Sequence, residues 1–149
     1  MTQPPSDLDF YKLYLATAEK VSDRRGAANT WMLSVNSAII GLYGFLAKDG
    51  AIAGTAAQTI WLWAIPLTGM LVCLSWFAIL TNYRKLNGAK FKVLQAMEAS
   101  FAHQPFAEEQ TFYKADKRRS LSHVERLVPI CFACLYAVLL VASVMLWCA

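Results

Sequence analysis

Three long apolar runs limit what this chain can fold into. They cover residues 31–47, 60–80 and 128–147, and none of them contains Asp, Glu, Lys, Arg or His. A helix needs roughly 17 to 25 apolar residues to cross a hydrocarbon core of about 30 Å, so each run is long enough, the first at the short end. With 57% hydrophobic residues, the 149-residue chain is too apolar for a water-soluble domain. The sequence therefore predicts an all-α membrane protein with three transmembrane helices in a single domain.

Basic residues are distributed unevenly around these runs. Of the 14 Lys and Arg residues, four precede the first run and nine lie between the second and the third. Because basic residues concentrate in cytoplasmic segments, the N-terminus and residues 81–127 are predicted to be cytoplasmic and the C-terminus to lie outside. The basic residues flank spans and are mixed with acids, so the net charge of +4 indicates topology and no nucleic-acid binding is expected.

Helical periodicity continues beyond the first two spans. Ser6 is the expected N-cap of the first helix, residues 103–105 are expected to end the helix after the second span, and a short helix is expected over 106–117. Ser122 and Glu125 have capping-box spacing at the start of the third spanning helix. The predicted boundaries are an amphipathic cytoplasmic helix at 7–29, spans at 30–48, 60–80 and 128–148, and a cytoplasmic helical segment at 81–127.

Two local patterns invite other interpretations. Ala51-Ile52-Ala53 resembles a signal-peptide cleavage site, but the first apolar run follows some thirty residues that include acids, which is too long for a signal n-region. Cys131 and Cys134 have a redox or metal-binding spacing, but they lie inside an apolar run without a second Cys or His pair nearby. We therefore expect a retained first helix and cysteines that serve in packing.

One face of the first span is small and weakly polar. Its members recur every three or four residues, so they form one stripe along the helix. Asn36 lies beside this stripe, and an amide in hydrocarbon is costly unless it finds partners. The stripe either packs helices or surrounds a hydrated axis. The candidates for pore lining or helix packing are Ser34, Asn36, Ser37, Gly41 and Gly44.

Cationic side chains near the membrane are the other candidate binding groups. No Gly-rich phosphate loop accompanies them, so contact with anionic lipid headgroups or a protein partner is expected. The candidates are Arg24, Arg25, Lys90, Lys92, Arg118 and Arg119. His103 and His123 have no metal-ligand spacing, and adjacent Glu108 and Glu109 do not share a helix face, so no enzyme activity, cofactor or metal site is expected.

Several polar and charged motifs follow one another along the chain. They are Tyr11-x-x-Tyr14, Val21-Ser22-Asp23-Arg24-Arg25, Asn29 with Ser34-Val35-Asn36-Ser37, Tyr83-Arg84-Lys85-Leu86-Asn87 with Lys90-Phe91-Lys92, and Val124-Glu125-Arg126 with Pro129. In the order and spacing of these motifs the chain resembles the RipA family of small octameric bacterial membrane proteins over nearly its whole length. The resemblance implies a homo-octamer in the bacterial inner membrane. A weaker likeness is to the two-span SLATT domains, proposed pore-forming effectors in bacterial defence, but the third apolar run departs from that pattern.

Two hypotheses about function follow. In the first, the chain forms a homo-oligomeric ring whose first span lines a channel or pore. In the second, the oligomer is a scaffold whose cytoplasmic helical crown, residues 81–127, recruits a protein partner that the sequence does not identify. A further alternative is a membrane effector in a bacterial defence system.

Overall fold

The computed structural model describes residues 6–48, 56–115 and 121–148. The described residues form four helices, α1 Asp7–Lys48, α2 Ala56–Glu98, α3 Pro105–Ala115 and α4 Leu121–Cys148. Three of them, α1, α2 and α4, are long and apolar enough to span a membrane. The predicted all-α fold with three spanning helices is confirmed.

The helices α1 and α2 are much longer than a bilayer requires. They contain 42 and 43 residues, which at 1.5 Å per residue correspond to rods of about 65 Å, twice the hydrocarbon thickness. Gly26 does not interrupt α1. Each rod therefore combines a spanning part with an extension outside the membrane, as the periodicity predicts.

Ser6 begins α1 with a reciprocal cap. The Asp9 amide donates to the Ser6 hydroxyl at 3.3 Å, and the Ser6 amide donates to the Asp9 carboxylate at 3.1 Å. The Ser6 hydroxyl also donates to this carboxylate at 2.6 Å. These hydrogen bonds from Ser6 hold the pKa of Asp9 below its ordinary value. The expected N-cap is confirmed, and Asp9 takes the part that Glu or Gln plays in a capping box.

The other helix ends differ from the predicted positions. α2 ends at Glu98 rather than at residues 103–105, because the Ser100 hydroxyl and amide both bond to the Met97 carbonyl, at 2.8 and 3.4 Å, which closes a turn in competition with the helix. α3 begins at Pro105, where a missing N–H costs nothing, and not at residue 106. α4 begins at Leu121, so Ser122 lies inside its first turn instead of capping it.

Packing between α1 and α2 follows a seven-residue repeat. Ser22, Asn29 and Asn36 of α1 all form hydrogen bonds to α2, and they are seven residues apart. Seven residues are close to two helical turns, so these three side chains lie on one face of α1, and their partners Asn87, Trp76 and Cys73 follow in the reverse order along α2. The two rods therefore form an antiparallel hairpin along both the spans and the extensions.

The helix α4 also packs on the spanning part of α2. Its buried residues Pro129, Tyr136 and Ser143 are also seven residues apart. Large apolar side chains elsewhere on the three rods are exposed, among them Leu71, Val138 and Met145, each at least 64% accessible. In a membrane such faces meet lipid or neighbouring subunits.

Candidate functional site

A polar cluster joins the three spanning helices at Asn36. This side chain is completely buried. Its Nδ2 donates to the Met32 carbonyl at 2.8 Å, and its Oδ1 accepts hydrogen bonds from the Cys73 thiol at 3.3 Å and the Tyr136 hydroxyl at 3.2 Å. Because an amide in an apolar medium is costly without partners, these bonds are what make Asn36 tolerable in a span. The structure places Asn36 in helix packing within one subunit.

Gly69 creates the space that the Tyr136 ring occupies. A Cβ atom at Gly69 would overlap the ring of Tyr136. The missing side chain therefore lets the phenol lie directly on α2 and extend to Asn36. Sequence analysis singled out neither Gly69 nor Tyr136. The available signals were a glycine inside the second apolar run and a tyrosine in the middle of the third run.

The small face of α1 points away from this cluster. Ser34, Ser37, Gly41 and Gly44 are all exposed on the subunit, and a Cβ atom at Gly41 or Gly44 would meet nothing within 4 Å. The Ser34 hydroxyl donates to the Thr30 carbonyl at 3.1 Å, so its polarity is partly satisfied within the helix. The five candidates are thus divided: Asn36 is internal, and the other four form an open surface, called here the small-residue face.

Two of the cations expected at the surface are engaged inside the subunit. Lys90 donates to the Thr17 hydroxyl at 2.9 Å and lies 4.7 Å from the centre of the Tyr14 ring. Arg25 of α1 lies 3.6 Å from Glu125 of α4. Both contacts hold helices together. Arg24 and Lys92 are exposed, and Arg118 and Arg119 lie outside the described residues.

Glu98 connects three chain segments outside the spans. It is fully buried. The Tyr11 hydroxyl donates to it at 2.7 Å and the Phe106 amide, in the first turn of α3, donates to it at 3.2 Å. The Tyr11 ring also packs edge-on against Phe101 at 5.4 Å. Burial, and then the hydrogen bond to Glu98, raise the pKa of Tyr11 to about 12.

In the part of the chain that the structure describes, two cavities lie along the extension of α2. One of about 510 Å³ is formed with α3, and its lining includes Phe91, Gln95 and Phe106. The other, of about 440 Å³, is formed with α4 and is strongly basic. Among the described residues, no group of three or more His, Cys, Asp or Glu side chains is placed to hold a metal ion.

Three spanning helices, long extensions and a small-residue face left open suggest a subunit of a larger assembly. The octameric membrane protein family (8xMP) matches residues 8–145. The chain belongs to this family. The 8xMP match covers α1 to α4 almost completely, so membership of a family of small octameric membrane proteins, expected from the sequence, is confirmed. No curated protein and no solved structure matches the chain.

Proposed function

We propose that this 8xMP protein forms a homo-octameric ring in the bacterial cytoplasmic membrane, with the small-residue face of α1 around a conducting axis. One observation carries the proposal. After α2 and α4 have packed, Ser34, Ser37, Gly41 and Gly44 remain exposed, whereas the costly amide of Asn36 has been turned into the subunit. The face that remains is suited to close contact between copies and to water.

The dimensions of such a ring favour a hydrated lumen. Eight parallel α1 helices about 10 Å thick, with neighbouring axes 8 to 10 Å apart, enclose a central opening with a diameter of roughly 11 to 16 Å. The apolar part of α1, residues 31–47, contains no charged side chain. A lumen of this width without fixed charge passes hydrated ions with little selectivity.

Conductance in planar bilayers tests this proposal. Ser37→Trp places a bulky ring on the small-residue face, and Ala142→Trp places the same ring on an exposed position of α4. We expect the purified octamer to conduct and Ser37→Trp to reduce its unitary conductance at least severalfold, with Ala142→Trp close to wild type. Silent bilayers with intact octamers, or equal effects of both variants, would contradict conduction through this face.

The proposed orientation places the N-terminus in the cytoplasm and Cys148 outside. This orientation rests on the basic residues of the extensions, since cytoplasmic segments of membrane proteins are enriched in Lys and Arg. A membrane-impermeant thiol reagent added to intact cells is expected to label Cys148 and to lose this labelling in Cys148→Ser. Labelling of Cys148 only after lysis would reverse the orientation.

A scaffold is the second candidate function, favoured by the cavity between α2 and α3. This cavity combines aromatic walls from Phe91 and Phe106 with the polar groups of Gln95, Glu109 and Gln110, as surfaces that bind protein partners often do. If this cavity is the functional surface, Glu109→Lys abolishes the function of the protein in cells and Ser37→Trp does not. The opposite pattern supports the pore.

A further inference from the structure

The cavity between α2 and α4 carries an unusual concentration of positive charge. It is lined by Thr81, Arg84, Lys85, Gly88, Ala89, Lys92 and Arg126. Four of these seven residues are cationic and none is acidic. We call it the basic pocket. Its volume of about 440 Å³ lies within the range of about 300 to 1,000 Å³ in which small ligands are held.

The basic pocket begins where the apolar parts of its two helices end. Thr81 directly follows the apolar run 60–80 of α2, and Arg126 lies two positions before the run 128–147 of α4. The boundary of the hydrocarbon core therefore lies at the end of the pocket that Thr81 and Arg126 form. From Thr81 to Lys92, α2 rises about 16 Å, so the cations form a column from that boundary into the water.

Small residues keep the centre of the pocket open. Gly88 and Ala89 lie between the lysines on α2, and a Cβ atom at Gly88 would meet nothing within 4 Å. Lys85 and Lys92 are both exposed. Their ammonium groups differ in this respect from that of Lys90, which is held by Thr17 and Tyr14. The pocket thus offers space together with exposed positive charge.

We propose that the basic pocket binds the phosphate of an anionic phospholipid, one lipid per subunit. Phosphate is the chemical group that clustered Arg and Lys side chains recognise best, through charge-assisted hydrogen bonds. A free phosphorylated solute carries the same group, but the open end of the pocket at the hydrocarbon boundary leaves the acyl chains of a lipid in the membrane. Basic pockets between spanning helices are suited to such headgroups. The site does not depend on whether the octamer conducts.

Lipid retention by the purified octamer tests the proposal. The octamer is placed in nanodiscs of phosphatidylcholine, phosphatidylglycerol is titrated in, and bound lipid is counted by native mass spectrometry. We expect wild type to retain up to one phosphatidylglycerol per subunit. Since each lysine near an anionic surface contributes a factor of about five, Lys85→Gln with Lys92→Gln should weaken this binding about ten- to thirtyfold.

Two further variants separate a pocket from general surface attraction. Lys12→Gln with Lys20→Gln removes the same charge from exposed positions of α1 and should leave retention unchanged. Ala89→Trp keeps every charge but fills the pocket, and it should lower retention as much as the lysine variants do. Equal losses in the α1 control, or full retention in Ala89→Trp, would overturn the pocket.

Binding of inorganic phosphate tests whether the phosphate in the basic pocket belongs to a lipid or to a soluble molecule. At millimolar concentration it should raise the melting temperature of the octamer less than phosphatidylglycerol does. If it stabilises wild type as much as the lipid, and Lys85→Gln with Lys92→Gln removes both effects, the assignment to a lipid is wrong and the site binds a soluble phosphate.

Discussion

The side-chain oxygen of Asn36 lies 3.2 Å from the hydroxyl of Tyr136, although the two residues are 100 positions apart in the chain. This hydrogen bond joins α1 to α4, which otherwise pack mainly on α2. The polar residue that stands out most in the spans is therefore used to close the three-helix unit. The small-residue face, on a different side of α1, stays exposed on the subunit.

Tyr136→Phe is expected to destabilise the subunit without changing its shape. It removes the hydroxyl that bonds to both the carbonyl and the side-chain oxygen of Asn36. Hydrogen bonds between spanning helices contribute about 0.5 to 2 kcal/mol, so the free energy of unfolding should fall by about that amount. Asn36→Leu should cost more, because the Cys73 thiol loses its acceptor and the Tyr136 hydroxyl keeps only the backbone carbonyl of residue 36. Unfolding in mixed micelles measures both, with Ser75→Ala at an exposed position as control.

An unchanged stability of Asn36→Leu would show that the cluster contributes nothing to folding. It would also return Asn36 to the candidates for an exposed, functional amide. The two interpretations of this residue thus differ in a quantity that is measured on the purified protein without any assay of function.

Gly69→Ala is expected to disturb the same cluster from the opposite side. The new methyl group would overlap the Tyr136 ring, so the ring or the whole of α4 must move. Overpacking of this kind typically costs about 1 to 3 kcal/mol. Gly26→Ala is the matched control, since its Cβ atom meets nothing within 4 Å and alanine is the better helix former. Loss of unfolding free energy in Gly69→Ala alone supports the close contact; equal behaviour of the two variants contradicts it.

Features that depend on neighbouring residues in the chain could be predicted from the sequence. The three spans follow from uninterrupted apolar runs, and the Ser6 cap follows from a short polar residue placed before a periodic segment. Both are decided within a few residues, so they do not require knowledge of which helices pack together. The absence of proline allows α1 to continue into the first span, but the sequence left open whether Gly26 would loosen the join.

Features that depend on the opposite helix could not be predicted. Glu98 is one of ten acidic residues, and only the docking of Tyr11 and Phe106 on it distinguishes it from the others. Likewise, the division between Asn36 and Ser37 depends on which side of α1 faces α2. Adjacent helical positions differ in direction by about 100°, so periodicity alone leaves that choice open.

Ser143 is expected to compensate for the proline inside α2. Pro66 has no N–H, so it cannot form the helical hydrogen bond to the carbonyl of Leu62. The Ser143 hydroxyl lies 3.4 Å from this carbonyl and 3.0 Å from that of Leu139. Ser143→Ala should therefore cost about 1 to 2 kcal/mol of unfolding free energy when Pro66 is present, because a buried acceptor loses its partner.

A double-mutant cycle isolates this compensation. In the Pro66→Ala background the helix supplies its own donor to Leu62, so Ser143→Ala should cost markedly less there. Unfolding free energies of the four proteins provide the coupling energy. A coupling near zero would mean that the hydroxyl serves Leu139 alone.

Tyr11 is expected to make the docking of the extensions sensitive to alkaline pH. Its pKa is raised from the ordinary value of 10.0 to about 12, so the folded state holds the phenolic proton more tightly than the unfolded state. The stabilisation is complete below pH 10 and is lost as the pH rises through about 12. Ionisation would place a phenolate against the Glu98 carboxylate, which breaks the contact between α1 and the end of α2. Titration of tyrosinate absorbance in wild type, minus the same titration in Tyr11→Phe, should show one group with a midpoint near 12. A midpoint near 10 in this difference would show that the Tyr11 hydroxyl is not bonded to Glu98.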